Sequence, residues 1–370
     1  MKQVSFLLVC FLLPLFASAF SHVDRAASFE YGDPGIKSMH ALAFSPDGVL
    51  FIGDSESATI FAIETEDVSG GEDVEDIDVK KVDQLIASAL GTVVDNITIQ
   101  DMAIHPLSKR VYLAVHHVDG TPVLLTIQKG KLDVVNLSSV NYSKAALGSP
   151  VEESATDRRG RSLRQWAISD LEYFDGRILV SGLSNKEFSS SVTMMSYPFK
   201  ENDQELASLE IWHAAHGQFE THSPIKTFTT AIINSEPQVV ASYTCTPLVL
   251  FPLSMMKSGA HVKGRTVAEL GNRNTPLDII SMEKGGESYL LMANTSRALM
   301  KISYQALEAF KGKLTEPVTE NSGTAGIDFI NLPLVNVLQL AKLDDKRFVM
   351  LQRRSNGDLD LHTGSADRWL

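Results

Sequence analysis

Cysteine is almost missing from this 370-residue chain, which has two, Cys10 and Cys245. Cys10 falls in a leader-like segment, so Cys245 is left without an intramolecular partner and a disulfide framework is excluded. Long apolar runs are missing too. The N-terminal run from Phe6 to Phe16 is shorter than the ~20 residues a membrane-spanning helix needs, and no later stretch approaches that length. Positive charge is in deficit, with 33 Lys and Arg against 45 Asp and Glu and a net charge of -12, which argues against nucleic acid or anionic lipid as a partner. The common catalytic fingerprints are absent as well: there is no G-x-S-x-G elbow, no H-E-x-x-H helix, no P-loop and no dinucleotide-binding glycine motif.

What is present starts at Lys2, which precedes that apolar run and then Ala17-Ser18-Ala19. A charged start, a short apolar stretch and an A-x-A site read as a signal peptide cleaved after Ala19, with residues 20–370 as one domain. With no disulfide and this plain leader, the chain is expected to be secreted or periplasmic, and monomeric. At this length an apolar core suffices without covalent staples.

Self-similarity organises the rest. Ser38 to Glu64 reads SMHALAFSPDGVLFIGDSESATIFAIE: a strand, a Ser-Pro-Asp-Gly turn, a second strand, a polar turn and a third strand. In that turn Pro presets φ, Asp caps locally and Gly accepts a positive φ. The same phrase returns at Gln100–Gln128, Ser169–Phe199, Ile225–Leu253, Leu277–Ser303 and Val335–Gln352, the last followed by DLDLH. Lys131–Leu137, Leu206–Trp212 and Val262–Leu270 read as fourth, outer strands. Four antiparallel strands repeated at this period predict an all-β fold, a single β-propeller of six or seven four-stranded blades. A seventh blade would be assembled from the segment after Phe29 and the strand near Leu359. A β-sandwich would not repeat one three-strand phrase six times, and a β-helix repeats at a shorter period. Val82–Leu90 reads as a short helix. Two loops depart from the repeat: an acidic one, Glu64–Asp78, read as solvated, and Ser149–Arg164, which carries Arg158, Arg159, Arg161 and Arg164 beside Glu152 and Glu153. The latter is read as a mixed-charge surface loop, with an anion-binding lid as the sharper alternative.

The phrase AFSPDGVLFIGDSESATIFAIE resembles the blade motif of the YVTN, NHL and quinoprotein-amine-dehydrogenase-like propellers. No Gly-His and Trp-Asp pair recurs, unlike the WD40 propellers, and no tryptophan-docking motif recurs, unlike the pyrroloquinoline-quinone dehydrogenases. The resemblance implies a fold and leaves activity open, since propellers host enzymes, binding modules and scaffolds alike.

Two constellations are candidate sites. Aligning the units by their turns places His40, Asp101, Asp170, Lys226 or Thr227, Asp278 and Asn336 near the start of each inner strand. Converging on the channel axis, they would form a ligand-binding ring whose carboxylates either raise one another's pKa or recruit a hard cation such as calcium. Alternatively they cap strand ends and hold channel water. The second constellation is the run Trp212–His222, with His213, His216 and His222 inside ten residues, and Cys245 expected at the same face. Imidazoles with a thiolate suit a transition metal. Chance clustering in a polar loop beside a buried cysteine is the plainer explanation. His116 and His117, at the analogous turn of the second unit, are a weaker source of a further ligand. The leading functional expectation is therefore an exported binding module that holds a small molecule or protein at the channel mouth, with a metal ion as candidate cofactor. An alternative is a metal-assisted hydrolase resembling the gluconolactonase-type propellers, whose acidic ligand from the first blade is replaced here by His40; a redox metalloprotein using the histidine loop is the third.

Overall fold

A computed structural model describes residues 28–67 and 74–370; the leader with its Ala19 site, and the middle of the acidic loop, lie outside the described residues. Six blades close into a ring. Numbered by the order of their inner strands along the chain, these begin with Ala41–Phe44, Ile97–Ile104, Asp170–Phe174, Ile225–Ile233, Pro276–Lys284 and Val337–Lys342. In each, a tight turn leads to an antiparallel second strand, such as Val49–Asp54 in the first blade. The Ser45-Pro46-Asp47-Gly48 turn forms as its residues dictate, with Gly48 at φ 90° and its N–H donating to Ser45 O at 2.9 Å.

Blade order round the ring departs from order along the chain. Packing of the inner strands runs second, first, third, fourth, fifth, sixth and back to second. Six apolar clusters make the same statement, because each lies between two neighbouring blades. Phe51, Ile60, Ile178 and Val180 join the first to the third. Leu50, Ile52, Tyr112 and Leu124 join the first to the second. Leu113, Val115, Val349 and Leu361 join the second to the sixth. Since a blade is apolar on both faces, its middle strands are buried throughout, as Val49–Asp54 is at every position.

The order follows from how open edges are filled. The first blade's third strand, Thr59–Glu64, is not continued by a fourth. Instead the chain crosses to the sixth blade and adds Asp78–Val79 outside Leu359–Ser365. The helix Val82–Ala89 then buries Val82 and Ile86 between the sixth and second blades. After the second blade ends with Lys131–Val134, Val140–Ala146 returns to pair with Thr59–Glu64, and Glu30–Gly32 covers that strand in turn. The expected seventh blade is therefore corrected: its two pieces are the outermost strand of the first blade and the third strand of the sixth. The outer strands expected in the second, third and fourth blades are found as Lys131–Val134, Gln204–His213 and Arg265–Glu269. Part of the acidic loop is also not solvated filler, since Asp67 is buried and accepts hydrogen bonds from Ser108 Oγ at 2.7 Å and Tyr112 Oη at 3.3 Å.

Substituting Gly182, in the second strand of the third blade, is expected to be severe. A Cβ there would lie 2.3 Å from Ala167 O, a backbone atom that cannot swing aside. Gly182→Val should lower the denaturation midpoint sharply; an unchanged midpoint would mean the inter-blade packing is looser than described.

Candidate functional site

The central channel opens at the face where the inner strands begin, into a cavity of about 540 Å³. Its floor is the ring anticipated from the turns. Asp101, Asp170 and Asp278 line both this cavity and one of about 520 Å³ at the opposite face, so they form the waist between the two mouths. The first mouth is lined as well by His40, Gln100, Lys226, Gln339 and Arg353, with Leu277, Leu338 and Leu351 as an apolar wall.

Each aspartate does the same structural job. Asp101 Oδ1 accepts the N–H of Met102 at 2.8 Å, and its Oδ2 accepts the N–H of Leu42 in the first blade at 2.6 Å. Asp170 accepts from Leu171 at 2.8 Å and from Phe228 in the fourth blade at 2.9 Å. Asp278 accepts from Ile279 at 2.7 Å and from Leu340 in the sixth blade at 2.6 Å. Blades are thus tied in pairs, second to first, third to fourth and fifth to sixth. Their partners at the same level are Ala41, Thr227 and Gln339, each the residue before the N–H that is bound. Asn336 is therefore not the member contributed by the sixth blade. It precedes the strand at φ 56°, its carbonyl accepts from Arg353 N at 3.0 Å, and it is not among the residues that line the mouth. His40 lines the mouth one residue before the ring position.

Burial pushes Asp101 well above the usual carboxylate range, with Asp278 and Asp170 adding repulsion. Burial also pushes Asp170 up to about 6 and Asp278 up to about 7. One turn of the pleat further along lies Glu172, which sequence reading passed over although it shares a strand face with Asp170. It accepts from Thr230 N and Thr230 Oγ1, both at 2.7 Å, and burial raises it to about 7. His40 moves the other way, to about 4, through burial and then the neighbouring His116, whose ring stands edge-on at 5.1 Å. His116 in turn accepts the N–H of Met39 at 2.9 Å, which places it beside His40 and away from the histidine loop. In the arginine loop two of the four arginines are engaged: Arg161 pairs with Asp157 at 2.6 Å, and Arg164 donates to Val151 O at 2.7 Å and to Glu56 O at 3.1 Å, while Arg158 and Arg159 are exposed.

The histidine loop lies at the same face but outside this mouth, at the seam of the third and fourth blades. His213 ends the outer strand Gln204–His213, and Cys245 follows the second strand of the fourth blade, Glu236–Tyr243. One ligand atom each of His213, His216 and Cys245 lies within 4.8 Å of the others. Among the described residues this is the only such group of three, so the waist aspartates are not gathered into a chelating cluster. His222 is not part of the group; its Nδ1 lies 3.1 Å from Ser189 Oγ. Two carboxylates that sequence reading did not assign complete the seam. Glu220 places Oε1 2.6 Å from His216 Nδ1 and Oε2 3.1 Å from His213 Nδ1. Burial works to raise the Glu220 carboxyl, yet His213, Ser223 and His216 hold it well below the usual range. Glu269, fully buried, accepts from Ala215 N at 3.2 Å and from Thr246 Oγ1, with Oε2 3.9 Å from His213 Nε2. The Cys245 thiol is pushed up by burial and by these two carboxylates.

Fold and sites together define a six-bladed β-propeller with a polar channel mouth and a separate cluster at its rim. No family model and no curated protein matches the chain. Among solved structures it is similar to a streptogramin B lyase (9% identity, 91% of this chain and 97% of that one, TM-score 0.36). It is similar as well to a chain of a mitotic checkpoint complex (10% identity, 98% and 99% covered, TM-score 0.35). A third is PorZ, a bacterial surface component of the type-IX secretion system of Porphyromonas gingivalis (8% identity, 91% and 39% covered, TM-score 0.32). Among the described residues no helix is long and apolar enough to cross a membrane.

Proposed function

We propose that the protein is an exported binding module that seats a small polar molecule, rather than a partner protein, in the channel mouth bounded by His40, Asp101, Asp170, Lys226, Asp278 and Gln339. One observation carries this reading: two buried polar atoms on residues lining that mouth, Gln339 Oε1 and His40 Nδ1, have no hydrogen-bond partner. A buried polar atom without a partner costs about 1–3 kcal/mol, which a ligand donor and acceptor would recover. Cavity size supports it too, since small-molecule sites commonly enclose ~300–1,000 Å³ with an apolar wall and a few convergent polar groups. A neutral compound bearing hydroxyl or amide groups fits these atoms, with Lys226 and Arg353 available to an acidic substituent.

The metal-assisted hydrolase is less well supported. Both oxygens of each waist aspartate already accept a backbone N–H, and these carboxylates do not close to chelating distance. The test is a calorimetric screen of neutral polyhydroxy and amide compounds and simple lactones, run on wild type and on Leu277→Trp, which plugs the mouth. Saturable binding lost in Leu277→Trp is the expected result. Binding that survives the plug places the ligand elsewhere, and lactone consumed faster than in buffer would establish the hydrolase instead.

A further inference from the structure

The rim cluster carries an inference independent of the channel mouth. His213 is 1% exposed; its Nδ1 faces Glu220 Oε2 at 3.1 Å, while its Nε2 is buried without a hydrogen bond, 3.9 Å from Glu269 Oε2. With Nδ1 turned to Glu220, the buried Nε2 is the ring atom that calls for a partner. Water or a cation would supply one. The surroundings select the cation. Two imidazoles and one thiol bring ligand atoms within 4.8 Å of one another, and Glu220 and Glu269 stand behind them. Among the described residues no lysine or arginine bonds either carboxylate, so beside the two imidazoles only a bound cation is left to balance them.

We propose that His213, His216 and Cys245 are the ligands of a borderline-soft divalent metal ion, zinc or one of like preference, at the seam between the third and fourth blades. The donor set decides the class: thiolate with imidazole selects such ions, and calcium and magnesium demand oxygen. Glu220 lies beside the Nδ1 atoms of both histidines, as carboxylates commonly do behind metal-bound imidazole, and so orients the rings. Glu269 is fixed by Thr246 Oγ1 and Ala215 N and adds negative charge beside His213. On binding, the Cys245 thiol loses its proton to solvent and the sulfur lone pair forms the metal bond. Only three protein ligands are gathered, and His216 is 49% exposed, so a fourth position faces water. His222 has no part in it.

Cobalt(II) titrated into metal-free wild-type protein tests this directly. The expected result is one ion per chain with a thiolate-to-cobalt absorption band in the near ultraviolet, displaced by zinc. Cys245→Ser should lose the band, Cys245→Ser and His216→Ala should each bind at least tenfold more weakly, and His222→Ala should match wild type. Zinc should also slow alkylation of Cys245 by iodoacetamide, a readout in unmutated protein that holds even if a variant fails to fold. Absence of stoichiometric binding, equal affinity in Cys245→Ser, or alkylation indifferent to zinc would each overturn the proposal.

Discussion

Replacing Asp101, Asp170 or Asp278 by alanine is expected to cost about 3–5 kcal/mol of folding stability each, because every replacement strands two buried backbone N–H donors, one of them in the neighbouring blade. Denaturant midpoints at fixed pH would measure it, and a loss below about 1 kcal/mol would show that the waist is not what ties the blades. The pH dependence sharpens the expectation. The folded-state pKa of Asp278 is about 7, against an ordinary 3.8, so between these values the folded chain binds a proton that the unfolded chain does not. Its contribution is fully present below pH ~4 and is lost as pH rises towards 7, a difference on the order of 4 kcal/mol. Asp170 and Glu172, raised to about 6 and 7, act in the same sense. In Asp278→Asn the fall in stability from pH 4 to 7 should be shallower than in wild type. Parallel curves would mean that Asp278 titrates normally. The same groups make the channel waist more negative as pH rises through this window, so a cationic probe should enter more readily at pH 8 than at pH 5.

Breaking the two-residue closing strand is expected to be as damaging, out of proportion to its length. Asp78–Val79 pairs with Leu361 and His362, and the segment is clamped on both sides: Ile77 and Thr363 exchange bonds at 2.8 and 2.9 Å, and Lys81 N donates to Asp360 Oδ1 at 3.0 Å. Val79 itself is buried in the cluster that joins the second and sixth blades. Val79→Asp would put an unpaired carboxylate among Val82, Leu113 and Leu361, and about 3–5 kcal/mol should be lost. Because this strand closes the ring, the loss should come with a lower cooperativity of unfolding, the sixth blade exchanging its amides ahead of the third. Hydrogen exchange resolved by blade would reveal it. A mutant in which all blades still exchange together would refute a closing role for the strand.

Much of the fold was legible because a propeller blade is a local object. Pro46-Asp47-Gly48 and its counterparts set hairpins within a few residues, and alternation along Ile225–Ile233 or Pro276–Lys284 marks strands whose partners come next in the chain. The waist aspartates were legible for the same reason, since each is a polar residue directly ahead of the apolar alternation of its own inner strand. Asn336 was misplaced because the ring-level residue of its blade, Gln339, lies inside the strand Val337–Lys342, while Asn336 is the polar residue just ahead of it. Glu172 left a signal, two residues beyond Asp170 on one face. Glu269 left none: it reaches His213 only because the fourth blade's outer strand packs beside the third's.

By itself, then, the sequence determined the all-β class, the six hairpin units, the three inward aspartates and the local enrichment of histidine, all set by turn chemistry and period-2 patterning over short spans. Tertiary structure alone decided the number of blades, their order round the ring, the partners of each carboxylate, and which histidines meet Cys245. Those depend on which open strand edge captures which segment, and backbone N–H and C=O groups at an edge are the same in every blade. Only the fit of apolar faces between neighbours, such as Phe51 against Ile178 or Leu113 against Leu361, distinguishes one closure of the ring from another.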